Sequence, residues 1–97
     1  MNKNIKELIE YPTEGILSKE VSKEKQNVTI FCMAKGTEIG THTSTKQGFV
    51  YVIEGEGIFN LEGKDIKMSS GVFIFMKQNA KHSLKAKENT SFLLSLI

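Results

Sequence analysis

Hydrophobic residues along this 97-residue chain occur in short runs that are separated by clusters of glycine, asparagine, serine and lysine. Runs rich in Val, Ile, Phe and Tyr that recur at short, regular intervals are typical of the strands of a sandwich or barrel. The pattern therefore predicts an all-β domain of about eight strands. The runs lie at Gly15–Val21, Asn27–Ala34, Phe49–Ile53, Gly57–Leu61, Asp65–Met68, Gly71–Met76, His82–Ala86 and Ser91–Ile97.

The order of apolar and polar residues within the runs also predicts which faces are buried. GIFNL alternates, as expected of a half-exposed strand, whereas GVFIFM and SFLLSLI are continuously apolar and are predicted to be buried on both faces. EGEG and LEGKD place glycines where tight hairpins need a positive φ.

The N-terminal segment NIKELIEY carries the one helical signal of the chain. Asn4 and Glu7 have the spacing of a capping box, and Pro12 would end a helix. We expect either a short helix or an extended arm here. The length of the chain predicts one domain over residues 1–97, with an N-terminal arm and first strand in 1–26 and a barrel in 28–97.

Composition narrows the classes of function. No apolar run is long enough to span a bilayer or to form the core of a signal peptide, so we expect a cytoplasmic protein with no membrane partner. The single cysteine, Cys32, rules out an internal disulfide and is predicted to be a small buried hydrophobe. The net charge is only +2 and all 13 basic residues are lysines, which argues against nucleic-acid binding.

The histidine His42 lies in a spaced set of glycines and polar residues. Gly36, His42 and Gly55 match the glycines and first histidine of the pattern G-x5-H-x-H-x3-E-x6-G, with every spacing kept. Ser44 stands at the second histidine position of this pattern, and Gly48 stands at the glutamate position.

The second histidine, His82, belongs to a similar pattern, G-x5-P-x-G-x2-H-x3-N. Gly71 and His82 match it. The departures are Lys77, Asn79 and Ala86 at the proline, glycine and asparagine positions. With these two motifs the chain resembles the cupin superfamily over roughly residues 28 to 97. The resemblance implies a β-barrel of jelly-roll type and a homodimer.

The resemblance also implies a metal site in relatives that carry the full motifs. There, the two histidines and the glutamate of the first motif and the histidine of the second hold one ion of Fe, Mn, Ni, Cu or Zn. In this chain only His42 and His82 remain as candidate metal ligands, because a serine hydroxyl is a weak ligand and Gly48 has no side chain. Glu38 is a possible additional ligand from the preceding turn.

Three interpretations of the histidine pair stay open: a structural pair satisfied by hydrogen bonds, a depleted metal site, and a metal-free pocket for a small polar ligand. The candidate ligand-binding residues are His42, Ser44, Gly48 and His82. Replacement of the glutamate by Gly48 would enlarge the pocket, unless Phe73 or Phe75 fills the space.

The favoured function is binding of a small molecule in the barrel. One alternative is a metal-dependent isomerase or dioxygenase that acts on a small sugar or hydroxy acid, and another is a sensory module. Lysines cluster around His82, either as a positive field that attracts an anionic ligand or as a solvated face. They are Lys77, Lys81, Lys85 and Lys87.

Overall fold

The computed structural model of the chain describes residues 2–22 and 27–97. Two antiparallel sheets form the fold, a five-stranded sheet in the order β1-β2-β9-β4-β7 and a four-stranded sheet in the order β3-β8-β5-β6. The strands are β1 (Ile16–Ser22), β2 (Asn27–Met33), β3 (Glu38–His42), β4 (Gly48–Glu54), β5 (Gly57–Leu61), β6 (Lys64–Met68), β7 (Phe73–Met76), β8 (His82–Ala86) and β9 (Thr90–Leu96).

This architecture confirms the predicted all-β jelly-roll, and each of the eight predicted runs overlaps one strand. The one further strand, β3, lies in a segment that was predicted to be a turn, and that prediction was wrong. Its sequence, EIGTH, has one aliphatic residue, Ile39, and the strand lies at the edge of the four-stranded sheet with its other residues exposed. An exposed edge strand needs few apolar residues, so hydrophobic alternation does not reveal it.

The strand β7 corrects a second prediction, that GVFIFM is buried on both faces. Ile74 and Met76 are buried, but Phe73 and Phe75 are 59% and 48% exposed. β7 is an edge strand of the five-stranded sheet, and its outward side chains lie on the outer face of that sheet. Phe73 stacks there on Phe49 of β4, with ring centroids 5.1 Å apart.

The main hydrophobic core lies between the two sheets. Its side chains come from the inward-facing positions of seven strands, as the two-residue period of a strand requires. The buried members are Met33, Val50, Val52, Phe59, Met68, Ile74, Met76, Leu84, Ala86 and Phe92.

A smaller core lies on the opposite face of the five-stranded sheet, beneath the N-terminal arm. Val21, Ile30 and Cys32 are buried there, and apolar residues of the arm, including Ile5 and Leu8, pack against them. The free thiol of Cys32 is 1% exposed, which confirms that this cysteine is a buried hydrophobe.

The N-terminal segment, predicted to be either a short helix or an extended arm, contains a single 3₁₀ turn at Ile5–Leu8. The Asn4 side chain accepts a hydrogen bond from the Lys6 amide, and the Glu7 amide donates to the Asn4 carbonyl, so the bonding pattern is that of a tight turn. Residues 1 and 23–26 of the predicted arm and first strand lie outside the described residues. Within the described part of the chain, no helix has the length and apolar character needed to cross a membrane.

Two of the three glycines in the predicted hairpin segments, Gly55 and Gly63, have the expected positive φ, whereas Gly57 is the first residue of β5. Glu62 and Gly63, between β5 and β6, have φ of 51° and 84°, which matches a type I′ turn. Gly55 has φ of 120°, and a Cβ at this position would lie 2.5 Å from the Cα of Thr90. The glycine therefore allows the β4–β5 turn to approach β9 closely.

The hydroxyl of Thr90 fastens this turn to the start of β9. The Glu56 amide donates to Thr90 Oγ1 at 3.1 Å, and the carbonyl oxygens of Glu56 and Glu88 lie 3.0 and 2.8 Å from the same oxygen. Thr90 is completely buried, so water cannot replace these bonds.

We expect Thr90→Val to lower the free energy of unfolding by about 1–3 kcal/mol, because the variant keeps the shape of the side chain but removes the hydroxyl that bonds the Glu56 amide and the Glu88 carbonyl. Urea denaturation measures the change. Thr41→Val, at an exposed position of β3, is the control and should change stability by less than about 0.5 kcal/mol. Equal effects of the two substitutions would contradict the role assigned to Thr90.

Candidate ligand-binding site

Pairing of β3 with β8 brings the two histidines together. His42, the last residue of β3, lies directly opposite His82, the first residue of β8. Their ring centroids are 4.0 Å apart and the ring planes meet at 61° in an edge-to-face arrangement. Two residues that are 40 positions apart in the sequence therefore share one location at the end of the barrel.

Backbone carbonyls fix the same tautomer on both rings. His42 Nδ1 lies 2.9 Å from the Gly40 carbonyl oxygen, and His82 Nδ1 lies 3.0 Å from the Ala80 carbonyl oxygen. A carbonyl oxygen can only accept, so Nδ1 carries the proton and donates in each case. In the neutral form of each ring Nε2 is then a bare acceptor, and it makes no hydrogen bond to any described residue.

The two rings differ in their exposure. His82 is 6% exposed and stacks on Phe59, with centroids 5.8 Å apart and planes 2° from parallel, whereas His42 is exposed. Burial lowers the pKa of His82, the hydrogen bond to the Ala80 carbonyl opposes this shift, and the nearby His42 lowers the pKa further. His82 is therefore held as a neutral imidazole beneath the more accessible His42.

Both rings line a cavity of about 220 Å³ between the two sheets. Nine of its twelve lining residues are apolar, and the other three are His42, His82 and Ser44. Phenylalanines from three strands form part of the wall, namely Phe31, Phe59 and Phe92. The arrangement is a largely apolar chamber whose polar lining residues are the paired histidines and Ser44.

Ser44 reaches the cavity from the loop that follows β3. Its Oγ accepts a hydrogen bond from the Lys46 amide at 3.2 Å, and its carbonyl accepts one from the Asn79 amide at 2.8 Å. Asn79 has φ of 65°, so it adopts the backbone conformation that favours the glycine of the second motif. The loops that carry Ser44 and His82 are thus joined to each other.

Gly48 is not among the residues that line the cavity, although it was predicted as a ligand-binding position. A Cβ on Gly48 would lie 2.1 Å from the Ser95 carbonyl oxygen and 2.9 Å from Leu96 Cδ2. The backbone of β9 therefore occupies the space that a side chain would need. The expected enlargement of the pocket, or its filling by Phe73 or Phe75, does not occur, because those two rings lie on the outer face.

The residues at the cavity do not fit the four-ligand metal set that the resemblance implies. They offer two imidazole nitrogens and one serine hydroxyl, with no carboxylate. Glu38, the possible additional ligand, lies 3.6 Å from Lys85 Nζ instead. Over residues 2–22 and 27–97, no group of three or more His, Cys, Asp or Glu side chains is arranged to hold a metal ion.

The lysine cluster lies outside the cavity. Lys77, Lys81, Lys85 and Lys87 are all exposed, and none of them lines the chamber. Exposure outside the lining is what a solvated face requires, and the interpretation as a positive field that attracts an anionic ligand stays a prediction. The positive charge is not in contact with the polar atoms of the histidine pair.

Sequence reasoning did not identify the residues of the cavity wall. Phe92, Leu94 and Leu96 of β9 line the chamber, while Leu93 packs against the smaller core on the opposite face of the sheet. In the sequence these residues form one apolar run, SFLLSLI, in which the inward set has no distinguishing mark. Only the register of β9 between β2 and β4 separates the two sets.

We expect NMR titration to give His82 a pKa below 6.5, with the proton of the neutral ring on Nδ1. The second proton, which turns the neutral ring into the imidazolium cation, is then bound more tightly by the unfolded chain than by the folded chain. Stability should therefore fall as the pH decreases from about 6.5 through the folded pKa. His82→Gln should reduce this part of the pH dependence. A pKa at or above 6.5, or a proton on Nε2, would contradict the geometry.

We expect Gly48→Ala to lower the free energy of unfolding by about 1–3 kcal/mol, because β9 must move to admit the new methyl group. Gly40→Ala is the matched control, since a Cβ on Gly40 has no neighbour within 4 Å. Urea denaturation compares the two. A Gly48→Ala variant as stable as Gly40→Ala would show that the strands do not approach as closely as described.

Comparison with solved structures shows that the fold recurs at low sequence identity. A conserved protein of unknown function from Streptococcus pyogenes is 23% identical with a TM-score of 0.87, and the alignment covers 100% of this chain and 86% of that one. A predicted oxalate decarboxylase from Thermotoga maritima is 21% identical with a TM-score of 0.77, covering 84% and 79%. A salicylate 1,2-dioxygenase from Pseudaminobacter salicylatoxidans is 17% identical with a TM-score of 0.79, covering 84% and 26%.

Comparison of the sequence with curated proteins and with models of protein families shows to which family the chain belongs. None of the curated proteins compared with the chain matches it. The family model described as "Cupin domain" matches residues 29–96, which include both histidine motifs, most of β2 and all of the seven strands that follow it. The chain is therefore a member of the cupin family.

Proposed function

We propose that this cupin binds a small molecule in the cavity between its sheets, in contact with His42, Ser44 and His82. The observation that carries the proposal is the pair of unengaged Nε2 atoms at an otherwise apolar chamber. Pockets that bind small molecules are mostly apolar with a few convergent polar groups. This cavity has that composition.

The size of the chamber supports the proposal. A cavity of roughly 150 Å³ is known to hold benzene, so about 220 Å³ is enough for a ring with a small substituent. The cavity also adjoins the exposed His42, which gives a ligand a route from solvent. Protein interiors otherwise contain few voids larger than a water molecule, so a chamber of this size calls for a function.

The structural interpretation of the pair is less favoured. In a pair kept only for stability, we would expect the Nε2 atoms as well as the Nδ1 atoms to bond other protein groups. Here Nδ1 of each ring is satisfied by its own loop or strand, and Nε2 has no protein partner among the described residues. The unengaged atoms are the ones available to a ligand.

The second candidate is a metal-dependent cupin enzyme of the isomerase or dioxygenase type. This candidate rests on His42 and His82, whose ring centroids are 4.0 Å apart and whose positions match the family's metal-ligand pattern. The predicted oxalate decarboxylase and the salicylate 1,2-dioxygenase share 21% and 17% identity with this chain, so their chemistry does not transfer to it. The missing carboxylate and third imidazole argue against this candidate.

The assembly and location of the protein stay predictions. The resemblance implies a homodimer, and sedimentation velocity of the full chain would test it. The cytoplasmic location predicted from the sequence is a separate expectation.

We expect ¹⁹F NMR of fluorinated single-ring fragments, with neutral, anionic and cationic members, to show line broadening by the wild-type protein. Leu94→Phe fills the cavity from β9 and should abolish the broadening. Leu93→Phe is the matched control, because the neighbouring side chain lies on the opposite face of the same strand and should leave binding unchanged.

Broadening that survives Leu94→Phe would place binding elsewhere and contradict the proposal, and so would a wild-type protein that affects no fragment. Metal analysis of protein purified without a histidine tag separates the second candidate. Stoichiometric metal that is lost in His42→Ala would favour the metal-dependent enzyme over metal-free binding.

A further inference from the structure

We propose that the ligand class of this cavity is an uncharged, single-ring molecule that donates a hydrogen bond through a hydroxyl group, such as a phenol. This inference rests on the proposed function and makes it more specific. It follows from the hydrogen-bonding capacity of the polar atoms and from the character of the remaining wall.

The histidine pair is a pair of acceptors. Each Nδ1 proton is used by a backbone carbonyl, at 2.9 Å from Gly40 and 3.0 Å from Ala80, so a neutral ring has only the Nε2 lone pair to offer. A ligand group that meets these atoms must bring the proton. A hydroxyl can do so, whereas an ether, a ketone or a carboxylate cannot.

Ser44 supplies the complementary group. Its Oγ already accepts from the Lys46 amide, and its hydroxyl proton remains available to a ligand. A phenolic oxygen that donates to a histidine Nε2 has lone pairs with which to accept from Ser44. A hydroxyl group is therefore matched in hydrogen-bonding capacity to both kinds of polar atom at the cavity, because it can donate to one and accept from the other.

The charge of the cavity argues against an anionic ligand. No lysine is among the described residues that line it, and a buried carboxylate that has the Ser44 hydroxyl as a donor but no cation beside it is costly to desolvate. A sugar is also disfavoured, because its many hydroxyls would face nine apolar lining residues. The rings of Phe31, Phe59 and Phe92 instead suit the faces and edges of an aromatic ligand.

The test is a series of probes with the same ring and methyl group at neutral pH: p-cresol, para-methylanisole, p-toluate and toluene. Phenols titrate near pH 10 and carboxylic acids near 4, so only p-toluate is charged. Chemical-shift titration of the full chain gives a Kd for each. We expect p-cresol to bind about three- to tenfold more tightly than toluene and para-methylanisole, as one net hydrogen bond allows, and p-toluate to bind most weakly.

Histidine variants test the source of the preference. His42→Phe and His82→Phe keep an aromatic ring but remove one acceptor each. The single phenolic proton is donated to one Nε2, so at least one of the two variants should reduce the ratio of p-cresol to toluene affinity. The toluene affinity itself reports whether the cavity persists in the variant. An unchanged ratio in both variants, with toluene binding intact, would overturn the inference.

The wild-type series distinguishes the two proposals. If para-methylanisole equals p-cresol, or if p-toluate binds most tightly, a donor ligand is excluded while binding in the cavity stands. If none of the four probes shifts the resonances of cavity residues, the inference fails. The proposed function fails with it only when the broader fragment screen is also silent.

Discussion

The antiparallel pairing of β3 with β8 is the interaction on which the candidate site depends. It places His42 opposite His82 at the end of the four-stranded sheet and brings their rings to 4.0 Å. Each ring is then oriented by a carbonyl two residues earlier in its own segment. Because the same bonds set position and tautomer, the backbone determines which nitrogen carries the proton and which is left as an acceptor.

The rest of the barrel serves this arrangement by forming an apolar chamber behind it. Inward residues of both sheets enclose the space, and the phenylalanines that line it are held by packing against each other and against His82. Phe31 and Phe92 stack with centroids 5.3 Å apart, and Phe59 lies parallel to the His82 ring. A histidine held between an aromatic wall and a second imidazole has little freedom to rotate, so the site is largely preformed.

Much of the fold could be predicted from the sequence, because strand periodicity and turn glycines are local signals. The register is not local, and the errors follow from this. β3 has one inward aliphatic residue, Ile39, and so resembles a turn, while Phe73 and Phe75 resemble core residues although they lie on an outer face. At the site, motif spacing identified His42, Ser44 and His82. It could not show that β9 closes the space at Gly48, since that contact joins distant segments.

The close approach at Gly48 also constrains how this barrel could change. A glutamate cannot be accommodated at position 48 by that substitution alone, because the Cβ of any side chain there would lie 2.1 Å from the Ser95 carbonyl oxygen. Ser44, by contrast, already faces the chamber. Any path from this chain to a complete set of metal ligands is therefore ordered: an imidazole can be gained at Ser44 at once, but a glutamate at Gly48 only after β9 has shifted. The close packing of β4 against β9 thus limits the order in which descendants of this protein could acquire metal ligands.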